Sequence, residues 1–516
     1  MAYLYGVSIQ GIQGFIFETN RLKEIVGASN LIEKFTSEDF MQEFLDNKGI
    51  TDNGYTILRN AGGNIRISFK ENQKNILEVF VKYFPKYIMQ KAYGITISQA
   101  VKEYGDTEYL NATQSLEILL KDTRNKVPLA LDAKFALMKQ APRTGKPHYK
   151  NVSIEETIGH YDKGSFQKYD NAIKANKDLL LEKMGINEGE HKIFPSMLTQ
   201  ISNSKNKIAV IHADGNKMGL LLQKMAEKLH KEEDKKIQDV FIEFSTGIEE
   251  ATKEAIRDAF KEVEDSYFEL TKYNNTNNQV PFRPIVIGGD DVTVICHADI
   301  AIDFIGLYMD KFQENTKTNL SSIVNTYGLD EFKEGLTVCA GIAYCNEKFP
   351  FHYAVDLAEV LCGRAKNISD REDSCLLFHN IQGAAFVKYD DYVKNELTIK
   401  TTRLDYGPYY IRDNGKKPYL VDFKNLYKAM TKQSFPLGKL REWLSELHYF
   451  DEYAKGYLER VKVMAERNSK KDELRHLNHM LKKLGDFSLD KLIDENNKTP
   501  IHDILQLKSV QGGKDV

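Results

Sequence analysis

The hydrophobic pattern changes period several times along the chain, and each change marks an element. Residues 3–9, YLYGVSI, form a short apolar run of strand type. GIQGFIF follows, and then a stretch near 18–35 in which Leu22, Ile25, Val26, Leu31 and Ile32 recur at helical spacing. YTILRNAGGNIRISF (55–69) reads as two strands joined by a Gly-Gly turn. Ile76, Val79, Phe80, Tyr83 and Ile88 predict a helix over 72–91, and ITISQA a further strand. The order is strand, helix, hairpin, helix, strand.

That order recurs. KIAVIHAD (207–214) is a strand, and a long helix over about 236–270 carries Ile237, Phe241, Phe244, Ile248, Ala251, Ala255, Ala259 and Val263 on one stripe. NNTNN (274–278) is a polar loop and IVIGGDDVTVIC (285–296) a hairpin. A helix over 300–322, the strand LTVCAGIAYC and a helix over 352–367 complete a second copy. The copies match in element order, not in sequence. Between them, 120–205 is polar and lysine-rich, includes APRTGKPHYK, and reads as an irregular insert. After Pro436 come charged amphipathic helices, and SVQGGKDV reads as a frayed tail. The expected units are 1–119, 120–205, 206–380, 381–436 and 437–516. The fold class is α+β, two tandem units with a helical C-terminal domain.

Composition narrows the class. The chain has 516 residues, is 42% hydrophobic and 28% charged, and carries a formal charge of -3. It reads as globular, and nucleic-acid contact would need a local basic patch. Five cysteines, an odd number without CxxC spacing, read as thiols in a reducing cytoplasm and not as a zinc site. The N-terminal stretch lacks a signal-peptide pattern, and no apolar run reaches the length of about 18 residues that a membrane span needs.

The candidate chemistry sits in the second unit. Gly288, Gly289, Asp290 and Asp291 interrupt an apolar hairpin. A Gly-Gly-Asp-Asp turn can be a plain hairpin corner. It can also be a phosphate and metal cradle, because glycines let phosphates approach the backbone. Two carboxylates held about 4 Å apart repel by about 4 kcal/mol at an effective dielectric of 20. A divalent ion such as Mg²⁺ removes that repulsion. Asp214, ending the strand before Gly215, is the candidate third carboxylate; its plainer reading is a helix N-cap before NKMGLLLQKM. On the residues alone both readings stand.

D-G-N-x-M-G (Asp214, Gly215, Asn216, Met218, Gly219) with a later GGDD resembles the palm domain of nucleotide cyclases and polymerases. The resemblance is strongest to the large polymerase-like subunit of type III CRISPR effector complexes, in a relative without the HD nuclease, with diguanylate cyclases more distant. LTVCAGIAYCNEKFPFHYAVDLAEVLCGRAK (336–366), Gly11–Ile16 and Gly62–Asn64 extend it over most of 1–380. The resemblance implies two ferredoxin-like palms and a helical C-terminal domain. It implies two Mg²⁺ or Mn²⁺ ions held by Asp214, Gly215, Asp290 and Asp291, the three aspartates being catalytic. Nucleotide would meet Gly215, Asn216, Gly288, Gly289, Gly62, Gly63, Arg364 and Lys366. For Arg364 and Lys366, a solvated helix face is an equal alternative. ATP is the implied substrate, a cyclic oligoadenylate or other cyclic nucleotide the implied product, and pyrophosphate the leaving group. Antiviral defence is the implied setting, and a small CRISPR subunit with guide or target RNA are the implied partners. AMP transfer to another acceptor and a non-catalytic scaffold in an RNA-guided complex are the alternatives.

Four departures from the family matter. Asn216 stands where a second Asp is common. AGGNIRI in the first unit has no acid after its glycines, so one catalytic centre per chain is expected, inside an internal pseudo-dimer that needs no homodimer. No histidine precedes His148, so no HD nuclease is expected, and His502-Asp503 reads as a helix detail. PRTGKPHYK stands where a CxxC zinc element is common, so packing is expected to hold that loop.

Overall fold

The computed structural model describes residues 1–51, 54–105, 107–125, 138–154, 157–174, 179–185, 194–271, 280–383, 388–413, 415–416, 418–449 and 451–512. The first unit runs β1 (Ala2–Gln10), α1 (Ile12–Phe17), α2 (Leu22–Phe35), α3 (Glu38–Asp46), β2 (Thr56–Ala61), β3 (Asn64–Lys70), α4 (Lys74–Lys91), β4 (Thr96–Tyr104) and α5 (Tyr109–Arg124). Its antiparallel sheet has the order β2-β3-β1-β4, the ferredoxin-like arrangement. The apolar run of β1 is explained by its central place, buried between two strands and two layers. The expected boundary at 119 falls inside α5, which packs Leu116 and Leu120 against Gly6 of β1. The first unit therefore extends to the end of that helix.

The insert is not irregular, as its polarity suggests, but contains β5 (His148–Ile154), β6 (Thr157–Asp162), α6 (Lys163–Lys174) and α7 (Leu179–Lys183). Lys168 and Arg143 serve buried acceptors, so apolar periodicity was a poor guide to it. Helix α6 lies so close to α2 that a Cβ on Gly27 would sit 1.9 Å from the Lys168 carbonyl oxygen. Buried Lys168 donates to the Phe15 carbonyl at 2.5 Å and to Glu18 at 3.1 Å. Arg143 reaches buried Glu24 at 2.7 Å, and the Thr144 hydroxyl donates to Asp162 at 2.9 Å. Ion pairs and hydrogen bonds thus contribute to holding PRTGKPHYK, where packing alone was expected.

The second unit runs β7 (Lys207–Gly215), α8 (Met218–Leu229), α9 (Asp234–Thr271), β8 (Phe282–Gly288), β9 (Asp291–His297), α10 (Ala301–Asn319), α11 (Ser321–Tyr327), β10 (Val338–Asn346), α12 (Phe351–Ile368) and β11 (Cys375–Asn380). The single helix expected over 300–322 ends at Asn319, and α11 begins at Ser321. NNTNN lies outside the described residues. Then follow α13 (Tyr389–Asn395), β12 (Thr398–Ile399), β13 (Thr402–Arg403), β14 (Tyr409–Tyr410), α14 (Leu420–Met430), α15 (Leu437–Glu446), α16 (Asp451–Asn468), α17 (Lys471–Gly485) and α18 (Ile501–Val510). The second sheet has the order β8-β9-β7-β10-β11-β14. Its first four strands repeat the arrangement of the first sheet, and β11, parallel to β10, extends it.

The C-terminal helices close back on this sheet. The Asn380 backbone N–H donates to Gln506 at 2.8 Å, and Asn203 donates to the Val510 carbonyl at 2.8 Å. The Gly512 N–H donates to Asp299 at 2.8 Å. Residues 509–512 are therefore held, where the small polar sequence suggested fraying. His502 and Asp503 lie in α18, where Asp503 accepts from the Tyr409 hydroxyl at 2.7 Å. Among the described residues no helix is long and apolar enough to cross a membrane.

Candidate active site

Three strand ends build the site. Asp214, the penultimate residue of β7, faces Asp291, the first residue of β9, in the last register pair of those strands. Gly288 pairs with Asp291 across a two-residue turn made of Gly289 and Asp290. Gly289 has φ +70°, as the first central position of a type II′ hairpin requires. The hairpin-corner reading and the site reading thus describe the same turn. Buried Thr252 of α9 donates to the Gly289 carbonyl at 2.5 Å and holds the turn from behind. Asp290 folds over β7: a Cβ on Gly215 would lie 2.8 Å from Asp290 Oδ2. Asp214 is not a helix cap, because α8 begins after Lys217, whose side chain makes no cap hydrogen bond.

Helix α12 brings the cation. It approaches the sheet at Gly341, where a Cβ would sit 2.0 Å from the Ala358 carbonyl oxygen. From its last turn Lys366, 9% exposed, places Nζ 2.6 Å from Asp214 Oδ2 and 2.8 Å from the Gly215 carbonyl oxygen. The solvated-face alternative fails for this residue.

Two other candidates lie elsewhere. Arg364 pairs with Asp390 at 2.9 Å and Asp405 at 3.2 Å, and stacks over Tyr389. Two positions along a helix point about 200° apart, so Arg364 pins the segment after β11 while Lys366 faces the carboxylates. Asn216 is buried at 1% exposure and donates to Thr337 at 3.0 Å and to the Asp373 carbonyl at 3.3 Å. Its amide nitrogen ties the end of β7 to the segment entering β10, while its Oδ1 has no hydrogen-bond partner among the described residues.

The electrostatics follow from crowding. The Asp291 side chain is 40% exposed, but its Oδ1 is buried without a hydrogen-bond partner. Burial, with the Asp214, Asp290 and Glu359 carboxylates nearby, pushes its pKa up to about 8. Burial holds His212 neutral, at about 4; its Nδ1 lies 3.1 Å from Thr293 Oγ1 and 3.5 Å from Asp291. Glu359, raised to about 7 by burial and by Asp356, hydrogen-bonds Gln13 of the first unit. Glu359, Thr252, His212 and Gln13 escaped the motif reading. Signals for two of them existed: Glu359 lies seven positions before Lys366 on one helix, and Thr252 interrupts an apolar stripe.

A cavity of about 450 Å³ between the two units opens beside these groups. Gly62 and Gly63 line it from the first unit, and Gly288 and Asp291 from the second. The two glycine turns meet: a Cβ on Gly288 would lie 3.3 Å from the Gly62 Cα. The Ser29 hydroxyl of α2 donates to the Ile285 carbonyl, at the bulge where β8 shifts register. Phe17 packs on Phe351 with ring centroids 5.4 Å apart. The cavity is thus walled by both units.

Asp214 and the Gly215 carbonyl converge on one point, and orphaned Asp291 Oδ1 is a further hard donor. Carboxylate and carbonyl oxygens suit Mg²⁺ or Mn²⁺. Among the described residues, no three His, Cys, Asp or Glu side chains stand together as a ready-made metal cage. The donor chemistry therefore fits, while the convergence point is taken by Lys366 Nζ.

Residues 207–375 match the family model for the Cas10/Cmr2 second palm domain. Among solved structures, the fold is similar to that of a Csm1-Csm4 cassette in complex with pppApA, at TM-score 0.52 and 13% identity, covering 99% of this chain and 69% of that one. The cassette in complex with pppApApA gives 0.51 at 12% identity, and that in complex with AMPPNP 0.50 at 13%, each over 99% of this chain and 69% of the other. No curated protein matches the sequence. The chain is thus an α+β protein with a Cas10-like palm fold, and its residues 207–375 match the Cas10/Cmr2 second palm domain.

Proposed function

We propose that the chain is a metal-dependent nucleotidyltransferase that converts ATP into a cyclic oligoadenylate or another cyclic nucleotide messenger in prokaryotic antiviral defence, releasing pyrophosphate. The observation that carries this reading is the convergence of Asp214, Asp290, Asp291 and Lys366 beside the cavity between the palms. Structures of similar fold with pppApA and AMPPNP support the substrate class. The Csm1-Csm4 cassette supports a second CRISPR subunit as partner; guide or target RNA is part of the proposal.

The residues divide the work. Gly62, Gly63 and Gly288 line the cavity without side chains and would let phosphates approach the backbone, with Gly289 in the adjoining turn. Asp214, Asp290, Asp291 and the Gly215 carbonyl would hold two Mg²⁺ or Mn²⁺ ions. When bound, such ions polarise a phosphoryl oxygen and stabilise attacking and leaving oxygens. Without metal, burial and the neighbouring carboxylates raise the proton affinity of Asp291; a bound divalent ion would lower it and keep the carboxylate ionised as a ligand. Lys366 supplies a positive charge to the triphosphate. Both palms wall the cavity from one chain, so a homodimer is not required.

The test is mass spectrometry of products from ATP with Mg²⁺ or Mn²⁺, with and without RNA. Cyclic or linked adenylates from the wild type, absent in Asp290→Asn with Asp291→Asn, are expected. Equal product from that double variant would remove these residues from catalysis.

A further inference from the structure

Lys366 is placed unusually for a phosphate-binding lysine. Its ammonium does not point into the cavity. It is buried and sits on Asp214 Oδ2 and the Gly215 carbonyl oxygen, at 2.6 and 2.8 Å. These are two of the oxygens that the proposed metal would need. Asp290 closes over the same glycine, and Asp291 faces Asp214 across the strands. Three carboxylates and one ammonium therefore share the end of the sheet.

We propose that Lys366 is an exchangeable internal cation: it occupies part of the metal site at rest and leaves it for the triphosphate when metal and nucleotide enter together. This rests on the metal-dependent reading above and adds an order of events to it. A lysine suits the role, because its ammonium is a compact charge on a flexible four-carbon stem. At rest it offsets the repulsion among Asp214, Asp290 and Asp291 and keeps the sheet end folded without metal. A divalent ion on Asp214 and Gly215 cannot coexist with Nζ at the same oxygens. Metal alone must displace the ammonium into a setting with no new anion, so metal alone binds weakly. A triphosphate supplies that anion, so metal and nucleotide bind cooperatively. The site then stays closed to divalent cations until nucleotide is present.

The experiment is a titration of the full chain with Mn²⁺, read by loss of the free-ion electron paramagnetic resonance signal, with and without a non-hydrolysable ATP analogue. The wild type should bind Mn²⁺ weakly alone and at least about tenfold more tightly with the analogue, in the range of ordinary coupling between sites. Lys366→Met should bind Mn²⁺ alone at least about tenfold more tightly than wild type and lose most of the coupling. Lys366→Arg keeps the charge and should stay weak alone, which separates charge removal from loosened packing. Lys366→Met binding Mn²⁺ no better than wild type would overturn the exchange, as would equal tightening in Lys366→Met and Lys366→Arg. Mn²⁺ binding by no form, with or without the analogue, would instead overturn the metal-dependent function itself, and the exchange with it.

Discussion

The two palms share a topology and differ in charge where their central strands end. The last register pair of β1 and β3 is Ser8 with Asn64; the last pair of β7 and β9 is Asp214 with Asp291. In the first palm the Ser8 hydroxyl donates to Asn64 Oδ1 at 2.9 Å, a neutral and satisfied contact. In the second, two carboxylates face each other with Asp290 beside them. The cations correspond too: Arg124, ending α5, donates to Ser8 at 3.3 Å, and Lys366, near the end of α12, pairs with Asp214. Each hairpin has its glycine turn, and the turns meet. The first palm's strand end is neutral and hydrogen-bonded, while the second crowds carboxylates together. Crowding of this kind is retained where a function needs it.

The comparison is broken most directly by making the second palm neutral. Asp290→Asn with Asp291→Asn should lower product formation by roughly a thousandfold or more, as loss of a transition-state clamp does. Mass spectrometry reads this, and circular dichroism should show the fold intact.

Next comes Gly215→Ala. Its Cβ would meet Asp290 Oδ2 at 2.8 Å and push that carboxylate aside. Turnover should fall about 10- to 100-fold, since misplacing a catalytic group by about an ångström costs that much.

Stability gives a third test. The folded pKa of Asp291 is raised, so its contribution is complete below about 4, the unfolded value, and is lost as pH rises towards 8. Asp291→Asn should therefore stabilise the metal-free protein at pH 8 by about 1–3 kcal/mol, discounted because the side chain is 40% exposed. At pH 4 the gain should nearly vanish. Denaturant unfolding at the two pH values checks it.

The smallest effect on chemistry should come from Arg364→Gln. Nucleotide KM should stay within about twofold, because the side chain touches no part of the cavity. Stability should drop by less than about 1 kcal/mol, because buried Asp405 keeps its bidentate pairing with Arg403. A large KM change would return Arg364 to the nucleotide site.

Much of the fold was legible in the sequence because both palms obey a simple period. β1 and β7 are apolar runs, and Gly-Gly pairs mark both hairpins, forming the turn at 62–63 and leading into the Gly289–Asp290 turn at 288–289. The insert was not legible, because Lys168, Arg143 and Glu24 form specific buried contacts that polarity alone reports as solvated. The meeting of Asp214, Asp290 and Asp291 at one sheet end was legible, because an acidic strand end and an acidic hairpin turn were expected on adjacent strands. The structural contacts of Asn216 and Arg364 were not legible, because a motif gives spacing along the chain and not the direction of a side chain. Only the pairing with Thr337, and with Asp390 and Asp405, reveals their roles. Glu359 was missed because its contact with Gln13 joins residues far apart in sequence.

The central claim is that the two palms differ in chemistry at one equivalent position. The most direct measurement is anomalous diffraction from crystals grown with Mn²⁺ and a non-hydrolysable ATP analogue. The account predicts manganese peaks at coordination distance, about 2.2 Å, from Asp214 and Asp291, and none at Ser8 and Asn64. A peak at the Ser8–Asn64 pair, or nucleotide bound between the palms with no manganese at the aspartates, would contradict it.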